Sequence, residues 1–271
     1  MRGLPHQEVA LARSRRGARW ITVAACSLPA GAAYASHDMA TMSGPHAEDE
    51  LALGVSVVVA EYDNVSYVGS YQGITPSASW RHGRFGAAAM LGLYHLEQNG
   101  LSSYGAGDAS LAGHVALIEG DELDAGVALH VMLPTGSETE HLGMGHTMAM
   151  PSAWASWHAA PVAVTASAGY ARALVSLGGA QHDHGPMPLV DPMNLQELTW
   201  SAGADLDVGH HVQLGGRALG GVPIGTGRTR VIGGGRVGWG TAHISTGFEL
   251  QVGLAGDPFT IRGVLETALR F

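Results

Sequence analysis

Histidine and methionine gather in three stretches of this 271-residue sequence, and together they suit a soft metal. His37, Met39, Met42 and His46 lie near the N-terminus. His141, Met144, His146, Met148 and Met150 follow in a central segment, and His182, His184, Met187 and Met193 form the third. Thioether and imidazole are the donors that copper, above all Cu(I), takes in preference to magnesium or calcium. His182-Asp183-His184 sets two imidazoles on one side of an extended segment, and His141, Met144 and His146 would complete a mixed nitrogen and sulfur sphere across two loops. The other reading is methionine as adaptable packing and histidine as an ordinary polar loop residue. Both stand at this level, so copper is a candidate ligand and no cofactor is required.

Other chemistries are excluded more sharply. All 14 basic residues are Arg, so a P-loop, a Schiff-base lysine and a Ser–Lys dyad are impossible. A net charge of -9 argues against nucleic acid. Cys26 is the single cysteine, which rules out a disulfide framework or a cysteine zinc site. No G-x-S-x-G or H-E-x-x-H appears. Gly233-Gly234-Gly235-Arg236-Val237-Gly238 spells a dinucleotide fingerprint, but it sits inside an alternating β segment and reads as close strand packing. His95, His158 and His243 are the histidines that a barrel-borne hydrolase would use, and nothing in the sequence marks them. A barrel enzyme and a purely structural barrel remain as alternatives.

The elements that must position these residues are strands. Arg13, Arg15, Arg16 and Arg19 precede an apolar, small-residue stretch ending in Ala33-Tyr34-Ala35, so residues 1–35 read as a signal peptide cleaved before Ser36. Export is of the Sec type on this reading. Val23-Ala24-Ala25-Cys26 also passes as a lipobox and Ser14-Arg15-Arg16 as a twin-arginine signal. Residues 36–50 form a short periplasmic tail, and 51–271 alternate apolar with small or polar residues. Twelve strands are predicted, at 51–61, 74–82, 85–96, 107–118, 123–134, 147–158, 162–173, 196–208, 211–222, 228–240, 242–253 and 258–271.

Segments of this length match tilted membrane-crossing strands. Tight connections near 83, 120, 160, 209 and 241 alternate with mostly longer ones at 62–73, 97–106, 135–146, 174–195, 223–227 and 254–257. Short periplasmic turns and long external loops produce that alternation, and a secreted sandwich has no reason to. Trp80, Phe85, Trp157, Trp239 and Phe271 fall at the short-turn ends, as an interfacial girdle requires. The fold class is a single 12-stranded antiparallel outer-membrane β-barrel.

Parity then sorts the faces. Leu51, Leu53, Val55, Val57 and Val59 point outward, as do Ile244, Thr246, Phe248, Leu250 and Val252. Phe259, Ile261, Leu265, Leu269 and Phe271 share the outer face of the last strand. Inward lie Arg217, Arg230, Arg236, Arg262 and Arg270, the acids Glu197, Asp205, Asp207, Glu249 and Glu266, and the neighbouring His114 and His130. These charges either fill the lumen with ion pairs or form a constriction that selects solutes.

Some segments also resemble a known family. Leu129-His130-Val131-Met132-Leu133-Pro134-Thr135-Gly136-Ser137, followed by Leu142-Gly143-Met144-Gly145, is similar to the strand–PTG–loop–GxG segment of the outer-membrane transporter-like family named for the meta pathway of phenol degradation. Gly107-Asp108-Ala109-Ser110-Leu111 resembles that family's G-D-x-x-L stretch. The match covers residues 105–160, and the remainder follows in style. Leu269-Arg270-Phe271 resembles the C-terminal signal that barrel-assembly machinery reads, with Phe271 as its key residue. The resemblance implies an outer-membrane channel for small, hydrophobic or aromatic solutes, with lipid and the assembly machinery as partners. A copper-binding outer-membrane protein of a metal-resistance or uptake system is the alternative.

Overall fold

A computed structural model of the chain describes residues 49–63, 68–174, 190, 192–256 and 259–271. Every element among them is a strand, and no helix is long and apolar enough to cross a membrane. The order is β1 (Glu50–Asp63), β2 (Val68–His82), β3 (Phe85–Met90), β4 (Leu93–Gln98), β5 (Leu101–Ala106), β6 (Ala109–Glu119) and β7 (Leu123–Leu133). β8 (Met148–Ala159), β9 (Val162–Ala173), β10 (Gln196–Gly209), β11 (Val212–Pro223), β12 (Arg230–Gly240), β13 (Ile244–Ala255) and β14 (Ile261–Arg270) follow.

β3 and β4 are two halves of one crossing, broken at Leu91-Gly92, because both pair with β2. β5 and β6 make the next crossing, broken at Gly107-Asp108, and they pair with β4 and β3 respectively. The Gly107 amide donates to the Gly92 carbonyl at 2.9 Å, so the sheet bridges both breaks. β1 pairs with β14 on one side and β2 on the other, which closes the sheet. The result is a closed antiparallel barrel of twelve crossings, and closure leaves no sheet edge to face lipid.

Alternation decides which side of each strand meets lipid. Val55, Val57, Leu129, Phe248, Leu250 and Leu265 are all exposed, on the outer face, as a lipid belt requires. Trp80, Phe85, Trp157, Trp239 and Phe271 are also exposed at the short-turn end. Both chain ends of the barrel lie there too, where Phe271 donates to the Leu51 carbonyl at 2.9 Å.

Three boundaries depart from the sequence expectation. β2 starts at Val68 rather than 74, and β5 starts at Leu101 rather than 107. The connection expected at 97–106 is a two-residue turn, with Asn99 at φ 50° and Gly100 at φ 81°, the left-handed pair that a tight hairpin requires. Phe259, assigned to the lipid face, precedes the strand and turns into the lumen, where it is 3% exposed. Residues 1–48, which hold the segment read as a signal peptide and most of that read as a tail, lie outside the described residues, as does the expected boundary at 35.

The abundant glycines have a packing role. Large inward side chains pack against glycines: Tyr94 against Gly73 and Gly107 on neighbouring strands and Gly92 in its own crossing, His114 against Gly86, and Trp154 against Gly126. A Cβ added at Gly126 would stand 2.8 Å from the Trp154 ring, and one at Gly107 would stand 2.6 Å from Tyr94. These glycines are seats for aromatic and imidazole rings, consistent with close approach rather than flexibility.

Candidate functional site: a lumen closed at one end

The lumen is graded along its axis. In its long-loop half, Val58, Ala60, Tyr62, Tyr71, Tyr94, Leu96, Met132, Leu219 and Ile232 form one contiguous buried cluster. Leu142, Met144, Val190, Met193 and Phe259, all from connections, complete it. External segments therefore fold into the mouth and seal it with apolar side chains. In the short-turn half, Gly54, Ser77, Ser79, Gly203, Gly215, Gly238 and Gly247 line the wall and are only half-buried. Ala52, Asp124, Ser156, Ser245 and Ala268 in the same half are buried, so its wall is built of small and polar side chains.

The segment after β7 enters the mouth because Asp108 holds it. The Asp108 carboxylate accepts the amide of Gly136 at 3.0 Å and that of Met144 at 2.7 Å. Thr135 Oγ1 accepts the Ala109 amide at 2.7 Å and donates to the Gly107 carbonyl at 2.9 Å. Gly136 and Gly143 then meet so closely that a Cβ on either would stand within 2.8 Å of the other's Cα. The Pro134-Thr135-Gly136 and Gly143-Met144-Gly145 pieces are thus the two sides of one clamp, set on the break between β5 and β6.

The inward charges form paired units. Arg217 holds Glu249 in a fork, with Nε donating at 2.7 Å and the second nitrogen at 2.5 Å. Gln251 donates to Glu249 at 2.7 Å and accepts from Arg262 Nε at 2.6 Å. Arg262 also donates to the Tyr71 hydroxyl at 3.2 Å and lies 4.4 Å over the Phe259 ring. Arg236 forks onto Asp205 at 2.7 and 2.5 Å.

Arg230 and Glu197, both 0% exposed, meet at 2.5 Å. Glu197 also takes the Asn194 side-chain amide at 2.5 Å, and Asn194 in turn accepts the Arg228 amide at 3.0 Å. This unit ties two external connections to the barrel wall. Arg270 approaches Glu50 at 3.7 Å at the short-turn rim, and Glu266 is half-buried in the short-turn half of the lumen.

On β6 and β7, His114 and His130 face inward as parity required. His114 meets Trp154 edge-on at 6.2 Å, and His130, fully buried, bonds the Ser110 hydroxyl through Nε2.

The His/Met residues divide. Met148 and Met150, grouped with the loop ligands although they fall in the strand expected at 147–158, belong to β8 and are buried in the lumen. Met144, His146 and Met193 are buried as well, while His141 is half-buried with φ 59°. His37, Met39, Met42, His46, His182, His184 and Met187 lie outside the described residues.

Among the hydrolase candidates, His95 bonds Ser102 at 2.8 Å on the outer face, with Glu97 3.8 Å from that same Nε2. A triad places the acid on the other nitrogen. His158 lies 3.5 Å from Asp124 in the lumen, and His243 is in a turn.

Sequence reasoning missed Asp108 as an anchor, Tyr94, and the lumen role of Leu142 and Phe259. The Gly107-Asp108 and Pro134-Thr135-Gly136 motifs were the available signal.

No protein-family model and no curated protein sequence matches the chain. The resemblance to the meta-pathway family therefore rests on the motif residues alone. Solved structures do match in fold. The COG4313 outer membrane channel from Pseudomonas putida F1 is 12% identical, with TM-score 0.59, over 84% of this chain and 97% of that one. The KdgM porin in complex with disordered oligogalacturonate is 7% identical, with TM-score 0.54, over 80% and 99%. The translocator domain of the autotransporter NalP from Neisseria meningitidis is 13% identical, with TM-score 0.52, over 86% and 91%. Identities this low establish the fold, an outer-membrane β-barrel.

Proposed function

We propose that this protein is an outer-membrane channel for small solutes, and that the solutes are hydrophobic or aromatic. The observation that carries the reading is the graded lumen. Its mouth is apolar and aromatic, closed by loop-borne Leu142, Met144 and Phe259, and behind it the wall is lined by small and polar side chains. A charged solute would lose its hydration in that mouth without gaining partners, because the nearby charges are already paired with one another. An apolar solute loses nothing there and meets the faces of Tyr62, Tyr71 and Tyr94.

The fold shared with an outer membrane channel supports this reading, as does the resemblance of the clamp motifs to a transporter-like family. On it the protein is a conduit rather than a catalyst. It reaches the outer membrane by Sec-type export, and the assembly machinery reads Phe271. The test is permeation into lipopolysaccharide-containing vesicles that enclose a reporter, comparing a small neutral aromatic with a charged sugar of similar size. Faster passage of the aromatic is expected. Passage of the sugar alone would sink the reading.

A further inference from the structure

Three methionines and one histidine share two adjacent rungs on the inner face of β7 and β8. Strand register pairs Met132 with Met148 and His130 with Met150. All four side chains point inward, and none is more than 2% exposed. His130 therefore has Met150 directly opposite and Met132 and Met148 on the next rung toward the mouth, within side-chain reach. Met144 and Met193, from the connections, belong to the same contiguous buried cluster.

The two ring nitrogens of His130 differ. Nε2 is engaged by the Ser110 hydroxyl, whereas Nδ1 is buried with no hydrogen-bond partner. Packing accounts for the sulfurs, since methionine fills irregular gaps. It leaves the orphaned nitrogen unexplained, because a buried polar atom without a partner costs free energy. In the tautomer that donates from Nε2 to Ser110, the lone pair is on Nδ1, the form a metal binds, and Ser110 fixes the ring as a supporting partner does.

We propose that His130 Nδ1 and the sulfurs of Met132, Met148 and Met150 form a binding site for a soft monovalent cation, Cu(I). All four donors are neutral, so a single positive charge is the most that this buried setting supports without a counter-ion. Cu(I) takes thioether and imidazole, whereas magnesium and calcium need oxygen ligands. Among the described residues, no group of three or more His, Cys, Asp or Glu converges that could hold a harder ion. The site is distinct from a surface site made by the external loops, and it stands whether or not the barrel conducts solutes.

The experiment is Cu(I) titration of the folded, detergent-solubilised barrel against bicinchoninate, repeated with Ag(I) as a redox-inert probe. Wild type is compared with the triple variant Met132→Leu, Met148→Leu, Met150→Leu and with Met150→Leu alone. Leucine keeps apolar bulk and removes the sulfur, and heat-dependent gel migration verifies folding of each variant. Copper held by the tail and loop residues is common to all three proteins and cancels in the comparison. The triple variant should lose one equivalent of Cu(I), and Met150→Leu should bind it at least tenfold more weakly. X-ray absorption should show a mixed sulfur and nitrogen shell in wild type that the triple variant lacks. If the triple variant does not fold, Met150→Leu decides alone. Equal stoichiometry and affinity in wild type and the folded variants would overturn the proposal and return these methionines to packing.

Discussion

The carboxylate of Asp108 accepts the backbone amide of Met144 at 2.7 Å, across 36 residues of sequence. Asp108 sits where the β5–β6 crossing breaks, so its side chain is free to turn from the wall toward the segment that caps the lumen. Its other oxygen takes the Gly136 amide, so one carboxylate fixes both ends of the segment that carries Leu142 into the mouth. A strand defect and a closed mouth are thus two aspects of one arrangement.

Asp108→Ala should therefore open the barrel without preventing its formation. Two partly buried amides lose their acceptor, which costs on the order of 1–3 kcal/mol of local stability per orphaned group. The strands themselves keep their ladders. Single-channel conductance in planar bilayers should rise above wild type, with Asp108→Asn intermediate because it retains one carbonyl acceptor. Conductance unchanged from wild type would mean that the capping segment is held by its apolar contacts alone.

Glu197 and Arg230 test a different property of the lumen. Both are fully buried, so removing one charge strands the other. Glu197→Gln should cost about 3–5 kcal/mol, read as a lower urea midpoint for the unheated, fast-migrating gel band. Replacing both residues with apolar ones of similar size should recover much of that loss. Glu266→Gln, at a half-buried position in the short-turn half, should shift the midpoint far less.

Periodicity made the barrel wall legible. A period of two is all a membrane strand needs, and the inward set from Asp205 to Arg270 fell on the right face because one face of each strand must be apolar. The signal failed where strands rise beyond the lipid. Outward Ser70 and Gln72 on β2 and Ser102 on β5 need not be apolar, so the alternation vanished and these stretches read as loops. Asn99-Gly100, the strongest short hairpin signal available, could have corrected the second case.

The site was less legible. Met144, Phe259 and Leu142 lie in connections, where no period reports burial, and their fate depends on tertiary contacts such as the Asp108 clamp. Met148 and Met150 fall inside the strand expected at 147–158, yet they group with the loop ligands because a methionine-rich strand end looks like its neighbouring loop.

Gly126→Ala should show that the glycine seats are obligatory. The added Cβ would collide with the Val115 backbone carbonyl and stand 2.8 Å from the Trp154 ring. Backbone cannot yield as a flexible side chain does, so β6 and β7 must part or Trp154 must leave its seat. Near-ultraviolet circular dichroism of the folded fraction should change, and the yield of heat-modifiable barrel should fall. Gly83→Ala, at a turn where an added Cβ meets nothing within 4 Å, controls for helix or strand propensity but carries its own strain, since φ there is 54°. Its effect should appear in stability and not in the tryptophan signal. Identical spectra for Gly126→Ala and wild type would show that the ring is not seated on this glycine.

The faces of the last two strands give the most direct check on parity. Leu250 and Leu265 are exposed on the outer wall, 45% and 49% respectively; Leu250 pairs across strands with Gly263, and Leu265 with Phe248. An arginine at either position would project into hydrocarbon with no partner. The cost should be about 2–4 kcal/mol if the position lies near the midplane, falling toward zero near the interfaces. Refolding titrations into lipid vesicles measure it directly. Glu249, one residue from Leu250, is buried inside and held by Arg217 and Gln251. Its replacement by Gln should weaken the Arg217 fork and alter conductance, with no dependence on bilayer thickness. The Leu250→Arg penalty, by contrast, should depend on thickness, because a thinner bilayer brings the guanidinium closer to water. If both substitutions responded alike to bilayer thickness, the register of β13 would be off by one residue, since a single slip exchanges every side chain between lumen and lipid.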